Sequence, residues 1–232
     1  MSKSAIVTGA TKGIGRATAE RLATLGFDLL LLGRNEDALS ATAAVCRDRG
    51  SSAQTLVGDL SEEAYMDEAV AAAFSQFGSI DLLVNNAGMA QRGAVQAADL
   101  SLWRDVMDLN FQAIVYLCRQ ILPSMIEQQR GTIINISSIS GRNTNAGGAI
   151  YCASKHALNG FSGCMYEDVR DYVIKVCSIM PGFVDTGLTS DLGLESSNMI
   201  QPEDVAHAVE YAVSASPTCC PTEIVLRPQQ RP

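Results

Sequence analysis

Tyr151 and Lys155 stand four residues apart in the run Tyr151-Cys152-Ala153-Ser154-Lys155. On a helix that spacing puts both side chains on one face, about one turn apart. A free phenol titrates at about 10, and a cation beside it pulls that value down. The pair therefore makes a proton donor and acceptor suited to neutral pH. The same spacing also describes an ordinary exposed pair on a helix face. The elements around the pair decide between the two readings.

The chain has 232 residues, of which 47% are apolar and 18% charged, enough for one well-buried α/β domain. Its formal net charge of -8 argues against a nucleic-acid surface. No apolar run is long enough for a membrane span. The first nine residues, Met1 to Gly9, run straight into a strand pattern and leave no room for a signal peptide, so a cytoplasmic protein is expected. The seven cysteines and two histidines show no metal-ligand spacing. Cys219-Cys220 reads either as a redox pair or as a plain turn before the last strand.

Residues 4–8 form a short apolar strand, followed by the turn Thr8-Gly9-Ala10-Thr11-Lys12-Gly13-Ile14-Gly15 and a helical pattern over 16–25. Strand, glycine turn and helix together give the turn its meaning. Gly9 permits the tight turn; Gly13 and Gly15 let the backbone approach a pyrophosphate, which the helix amides then face. Phe27–Gly33 is a nearly continuous apolar run, as expected of a strand covered on both faces. An acidic residue at its end would hold the ribose hydroxyls of NAD. Arg34 stands there instead, able to fork onto a 2′-phosphate. Lys12 supplies a second cation, and the two favour NADP(H) over NAD; the bland alternative is that both are solvated surface charges.

Further along, strands are expected over 53–57, 80–84, 131–138, 175–180 and 223–226. Helices are expected over 36–50, 61–77, 101–128 and 202–214, and around Tyr151 and Lys155. Asp59, followed by Leu60, either meets the adenine amino group or caps the next helix beside Ser61. Asn85-Asn86-Ala87-Gly88 ends the fourth strand and suits hydrogen bonding beside a cofactor. Asn110 lies in mid-helix, where asparagine is mildly unfavourable. Pro123 is expected to kink that helix near its end. Residues 187–201 are polar with a few leucines and read as a lid within the single domain 1–232. Alternating strands and helices predict one doubly wound parallel sheet of about seven strands. Gly9, Arg34, Asp59, Asn86, Ser138 and Pro181-Gly182 then gather at strand carboxyl ends, where such sheets bind ligands.

Over essentially its full length the chain resembles the classical short-chain dehydrogenase/reductase family, a Rossmann-type fold. The matching residues are Thr8-Gly9-x-x-x-Gly13-Ile14-Gly15, Asn85-Asn86-Ala87-Gly88, Asn110, Ser138, Tyr151-x-x-x-Lys155 and Pro181-Gly182. The resemblance implies that Tyr151 exchanges a proton with the carbonyl or alcohol oxygen and that Ser138 hydrogen-bonds that oxygen. It implies that Lys155 holds the nicotinamide ribose and lowers the phenol, and that Asn110 helps hold a water leading to Lys155. It places Val184 and Thr186 at the nicotinamide and Asn86 at the ribose region.

The activity so implied is NADPH-dependent reduction of a short-chain ketone or aldehyde. A 3-oxoacyl-acyl-carrier-protein reductase is the competing enzyme, for which Arg92, Arg104, Arg119 and Arg142 are the candidate basic patch. A regulator that binds NADP without turnover is the reading from another class. The family commonly forms homodimers or homotetramers through its two long helices.

Overall fold

The strand Phe27–Gly33 (β2) carries Leu29, Leu30, Leu31 and Leu32, all essentially buried. A strand apolar at every position must be covered on both faces, and that requirement organises the whole molecule. The computed structural model describes residues 3–232; Met1 and Ser2 lie outside them.

Lys3–Thr8 (β1), β2, Ala53–Val57 (β3), Leu82–Asn85 (β4), Gly131–Ile136 (β5), Ile174–Pro181 (β6) and Glu223–Leu226 (β7) form one sheet. The strand order is β3-β2-β1-β4-β5-β6-β7, with every pairing parallel. Helices Gly13–Thr24 (α1), Glu36–Asp48 (α2) and Pro202–Ser214 (α7) cover one face. Leu22, Leu39 and Val205 pack there on Val7, Leu29 and Leu31. Glu63–Phe77 (α3), Ala113–Gln128 (α5) and Ala149–Val169 (α6) cover the other. Met66, Leu117 and Leu158 pack there on Ile6, Leu30, Leu83 and Ile133. Strand side chains alternate between the two cores, which is why a run of four leucines satisfies both.

The strand order reverses between β1 and β4, and sheets of this kind bind ligands at the strand carboxyl ends there. Asn86 ties those two strand ends together. Its backbone N–H donates to Thr8 Oγ1 at 2.9 Å, and its side-chain amide donates to the carbonyls of Thr8 at 2.9 Å and Gly9 at 3.1 Å.

Several expected boundaries change: the first helix is Gly13–Thr24 rather than 16–25, the second ends at Asp48 rather than 50, the fifth strand ends at Ile136 rather than 138, and the sixth is Ile174–Pro181 rather than 175–180. The third helix starts at Glu63 rather than 61, because Ser61 is held in a local turn by Asp59. The fourth strand is Leu82–Asn85 rather than 80–84. The long helix expected over 101–128 begins as Leu100–Met107 (α4) and passes through a π-helical turn, Asp108–Gln112, before α5. Pro123 sits inside α5 without ending it. Among the described residues no helix is long and apolar enough to cross a membrane. All seven cysteines are free thiols, and Cys220 donates to the Val176 carbonyl at 3.5 Å.

Candidate active site

The glycine turn after β1 is shaped for close approach. Gly9 and Gly13 have φ of 65° and 53°, the left-handed region that only glycine enters without cost. A methyl group on Gly15 would lie 2.2 Å from the Gly9 carbonyl oxygen. α1 follows with no side chain capping its first amides and no acid in its first turn. By contrast α2 is capped by Asn35, and α7 has a capping box with two acids in its first turn. Uncapped amides above a glycine cradle fit a pyrophosphate. Thr11 packs on the end of β2, where a methyl on Gly33 would meet its Cγ2 at 2.6 Å. Lys12 is exposed, and Ile14 packs against the core.

Arg34 and Asp59 leave the ends of β2 and β3 side by side. The guanidinium is 75% exposed and reaches the Asp59 carboxylate at only 3.4 Å. Asp59 also accepts from the Ser61 amide and hydroxyl, both at 2.9 Å. The Ser61 amide, the Ser61 hydroxyl and Arg34 together hold its carboxyl below the ordinary value despite some burial. Asp59 orders the turn at Ser61 ahead of α3 without capping that helix, whose N-cap is Glu62. Leu60 is buried in the core beside it.

Asn110 is fully buried in the π-helical turn. Its amide clamps Met89, accepting from the Met89 N–H at 2.9 Å and donating to the Met89 carbonyl at 2.9 Å. A further bond reaches Ser154 Oγ at 3.1 Å. Asparagine suits this place because its amide both donates and accepts. A methyl on Gly88 would lie 3.1 Å from Asn110 Oδ1 and 3.8 Å from Lys155 Nζ. Gly88 thus marks where the β4 end, the π turn and α6 converge.

Ser138 follows β5 and accepts from the Ser140 N–H at 3.1 Å. Tyr151 and Lys155 lie on α6, with the ammonium 5.9 Å from the centre of the phenol ring. Lys155 Nζ donates to the Ile136 carbonyl at 2.9 Å, the single protein acceptor it has among the described residues. An ammonium offers three donors, so this one fits further hydroxyl acceptors. Burial pushes it down to about 8. Burial also pushes the Tyr151 phenol above its ordinary value, while a hydrogen bond with Ser138 and the charge of Arg92 pull the other way. A lowering of the phenol by Lys155, expected from the spacing, does not prevail here, because desolvation of the phenolate outweighs what opposes it.

β6 ends at Pro181, and the Gly182 N–H donates to the Leu226 carbonyl at 2.8 Å. Val184 is buried and bridges to Ile200. Thr186 packs over the glycine turn, since a methyl on Gly13 would lie 3.0 Å from its Cγ2. Residues 187–201 are more structured than their polarity suggests, with 3-10 turns at Ser190–Leu192 and Ser196–Asn198. Buried Thr189, Met199 and Ile200 anchor the segment.

The expected residues thus gather at one end of the sheet. Two side-chain partners were not expected there: Ser154, and Asn159, whose amide donates to the Gly141 carbonyl at 3.0 Å. Met89 takes part through its backbone, so its side-chain type carries no signal. Ser154 adjoins Lys155, and Asn159 lies one helical turn beyond it, a spacing that could have drawn notice.

Comparison with known proteins follows the same lines. The family model described as short chain dehydrogenase matches residues 3–196. An uncharacterized oxidoreductase of Staphylococcus saprophyticus is 34% identical over 227 residues, covering 97% of both chains. A metagenomic short-chain oxidoreductase solved in complex with NADP is 30% identical, with a TM-score of 0.87 and coverage of 99% and 98%. A variant actinorhodin polyketide ketoreductase solved with NADPH is 29% identical, with a TM-score of 0.89 and coverage of 97% and 95%.

Proposed function

Because the chain belongs to the short-chain dehydrogenase family, we propose that it is an NADPH-dependent reductase of small ketones or aldehydes. The observation that carries this reading is the gathering of Ser138, Tyr151 and Lys155 at one end of the sheet, with the Lys155 ammonium 5.9 Å from the centre of the phenol ring. Reduction asks only that a neutral phenol act as an acid, and burial favours that form.

When bound, NADPH supplies the hydride. The glycine turn and the α1 amides would hold its pyrophosphate, with Lys12 and Arg34 at the 2′-phosphate. Asp59 and Leu60 would border the adenine, and Asn86, Ala87 and Gly88 the ribose region. Pro181, Gly182, Val184 and Thr186 would line the nicotinamide side. The relatives solved with NADP and NADPH support the phosphorylated cofactor.

Ser138 donates a hydrogen bond to the substrate oxygen, and Tyr151 gives that oxygen its proton. Lys155 holds the ribose hydroxyls with the donors that Ile136 leaves free. Asn110 serves this group by fixing the Met89 loop and Ser154 beside Lys155. Residues 187–201 form the substrate lid, with exposed Phe183 and Leu188 as apolar contacts at its base. The protein is read as a cytoplasmic homodimer or homotetramer. The exposed α6 face with Ala153, Gly160, Gly163 and Cys164 supports close helix packing.

The carrier-protein alternative needs a basic patch. Of its candidates Arg142 is already bonded to Glu223, which weakens that reading. A panel of small ketones and aldehydes, assayed with NADPH beside a 3-oxoacyl carrier protein, tests the proposal. Turnover of the small carbonyls that disappears in Tyr151→Phe, with NADPH binding kept, is the expected result. Turnover of the carrier substrate alone transfers the assignment to the alternative. NADPH binding without turnover of any carbonyl leaves the regulator reading and overturns the reductase.

A further inference from the structure

Ser138 does its work only if its hydroxyl points at the substrate oxygen, and its position depends on the turn that follows it. That turn, Ile139–Gly141, is one 3-10 helical turn. Ser138 closes it twice, accepting from the Ser140 N–H through Oγ at 3.1 Å and from the Gly141 N–H through its carbonyl at 2.9 Å. Accepting at Oγ leaves the hydroxyl proton to be donated, to the Tyr151 phenol or to a substrate oxygen in its place. The rotamer of Ser138 is tied to the turn through the Ser140 N–H, and the Ser138 backbone through the Gly141 N–H.

Gly141 is held against α6 from the other side. Asn159 Nδ2 donates to the Gly141 carbonyl at 3.0 Å. The same amide nitrogen touches Met180 Sδ at 3.3 Å, on the strand next to β5. Gly141 is buried, and a methyl there would lie 2.4 Å from Asn159 Nδ2 and 2.7 Å from the Lys155 carbonyl oxygen. The turn therefore lies directly on the backbone of the helix that carries Tyr151 and Lys155. Asn159 is one helical turn beyond Lys155 on that helix, and its Oδ1 is buried with no protein partner. A buried amide oxygen without a partner costs free energy, which is tolerated where the other half of the amide is needed.

We infer that Asn159 is a positioning residue that bolts the Ile139–Gly141 turn to α6 and so holds the Ser138 hydroxyl in register with Tyr151. The inference rests on the reading of Ser138 as the group that binds the substrate oxygen. Asn159 touches neither substrate nor cofactor; it acts through Gly141.

The test combines kinetics with a measurement that needs no substrate. Asn159→Leu keeps the side-chain size and removes the donor. Its kcat is expected to fall about tenfold, the loss associated with one well-placed hydrogen bond. NADPH affinity, read by cofactor fluorescence, is expected to stay within about twofold, since only the chemical step loses an interaction. In a Ser138→Ala background Asn159→Leu is expected to lower kcat no further, because the two act as a unit. Fully additive losses show that Asn159 works elsewhere and overturn the inference, as does an unchanged kcat.

Hydrogen exchange supplies the second arm. The Ser140 and Gly141 amides are expected to exchange about tenfold faster in Asn159→Leu, with those of β5 and β6 unchanged. Unchanged protection of Ser140 and Gly141 sinks the bolt whether or not any carbonyl is turned over. Loss of turnover by the wild-type protein instead refutes the reductase reading alone. If Asn159→Leu does not fold, Asn159→Ala removes the same donor without adding bulk and is read by the same two measurements.

Discussion

The Lys155 ammonium donates to the Ile136 carbonyl oxygen at 2.9 Å, two residues before Ser138. One hydrogen bond therefore joins α6 to the end of β5, just before the turn that carries Ser138. The charge is carried at a cost, because Lys155 is almost wholly buried.

Burial brings the Lys155 ammonium from 10.5 down to about 8. Below that pH the group is charged in both folded and unfolded chains, and its burial costs about 3 kcal/mol. Between the folded and unfolded values the unfolded chain binds the extra proton, so this penalty fades as pH rises. Lys155→Met should accordingly abolish reduction yet raise Tm at pH 7, with the gain shrinking above pH 8. Thermal unfolding of both proteins without cofactor at several pH values measures it. A Tm difference that is flat across the range would show that the ammonium is not under strain.

Arg34 has only the long contact to Asp59 and is otherwise in solvent. That leaves its guanidinium free for a 2′-phosphate, a charge-assisted contact of about 1.5–3 kcal/mol. Arg34→Asp is expected to lower the ratio of kcat/KM for NADPH over NADH by at least about tenfold. Cofactor titrations on the same variant should show the loss in NADPH binding itself. An unaltered ratio defeats the assignment of Arg34 to the phosphate.

Val173 has φ 60° and ψ 30°, a left-handed conformation that a β-branched side chain resists. It is half-exposed, so it gains little packing in return, while its N–H closes the turn onto Arg170 at 3.1 Å. Glycine keeps that bond and removes the clash, at the expense of a more flexible unfolded chain. Val173→Gly should stabilise the fold by about 0.5–1 kcal/mol, raising Tm by about 2 °C. A lower Tm would mean that the Val173 side chain holds the α6–β6 corner by packing.

The sequence alone determined what periodicity and glycine chemistry can carry. Four consecutive leucines in β2 require cover on both faces, and the βα alternation then leaves little but a parallel sheet. Such a sheet binds at its carboxyl ends, so Gly9, Arg34, Asp59, Asn86, Ser138 and Gly182 could be assigned to one site before any coordinate. Only the tertiary structure decided how the site is braced. Asn110, in a π turn, has its amide bonded to Met89 and Ser154, residues 21 and 44 positions away. Asn159 meets Gly141 across 18 positions. The upward shift of Tyr151 and the downward shift of Lys155 both come chiefly from desolvation within the packed chain. Local spacing cannot report burial or long-range hydrogen bonds, because both arise from the whole chain closing around them.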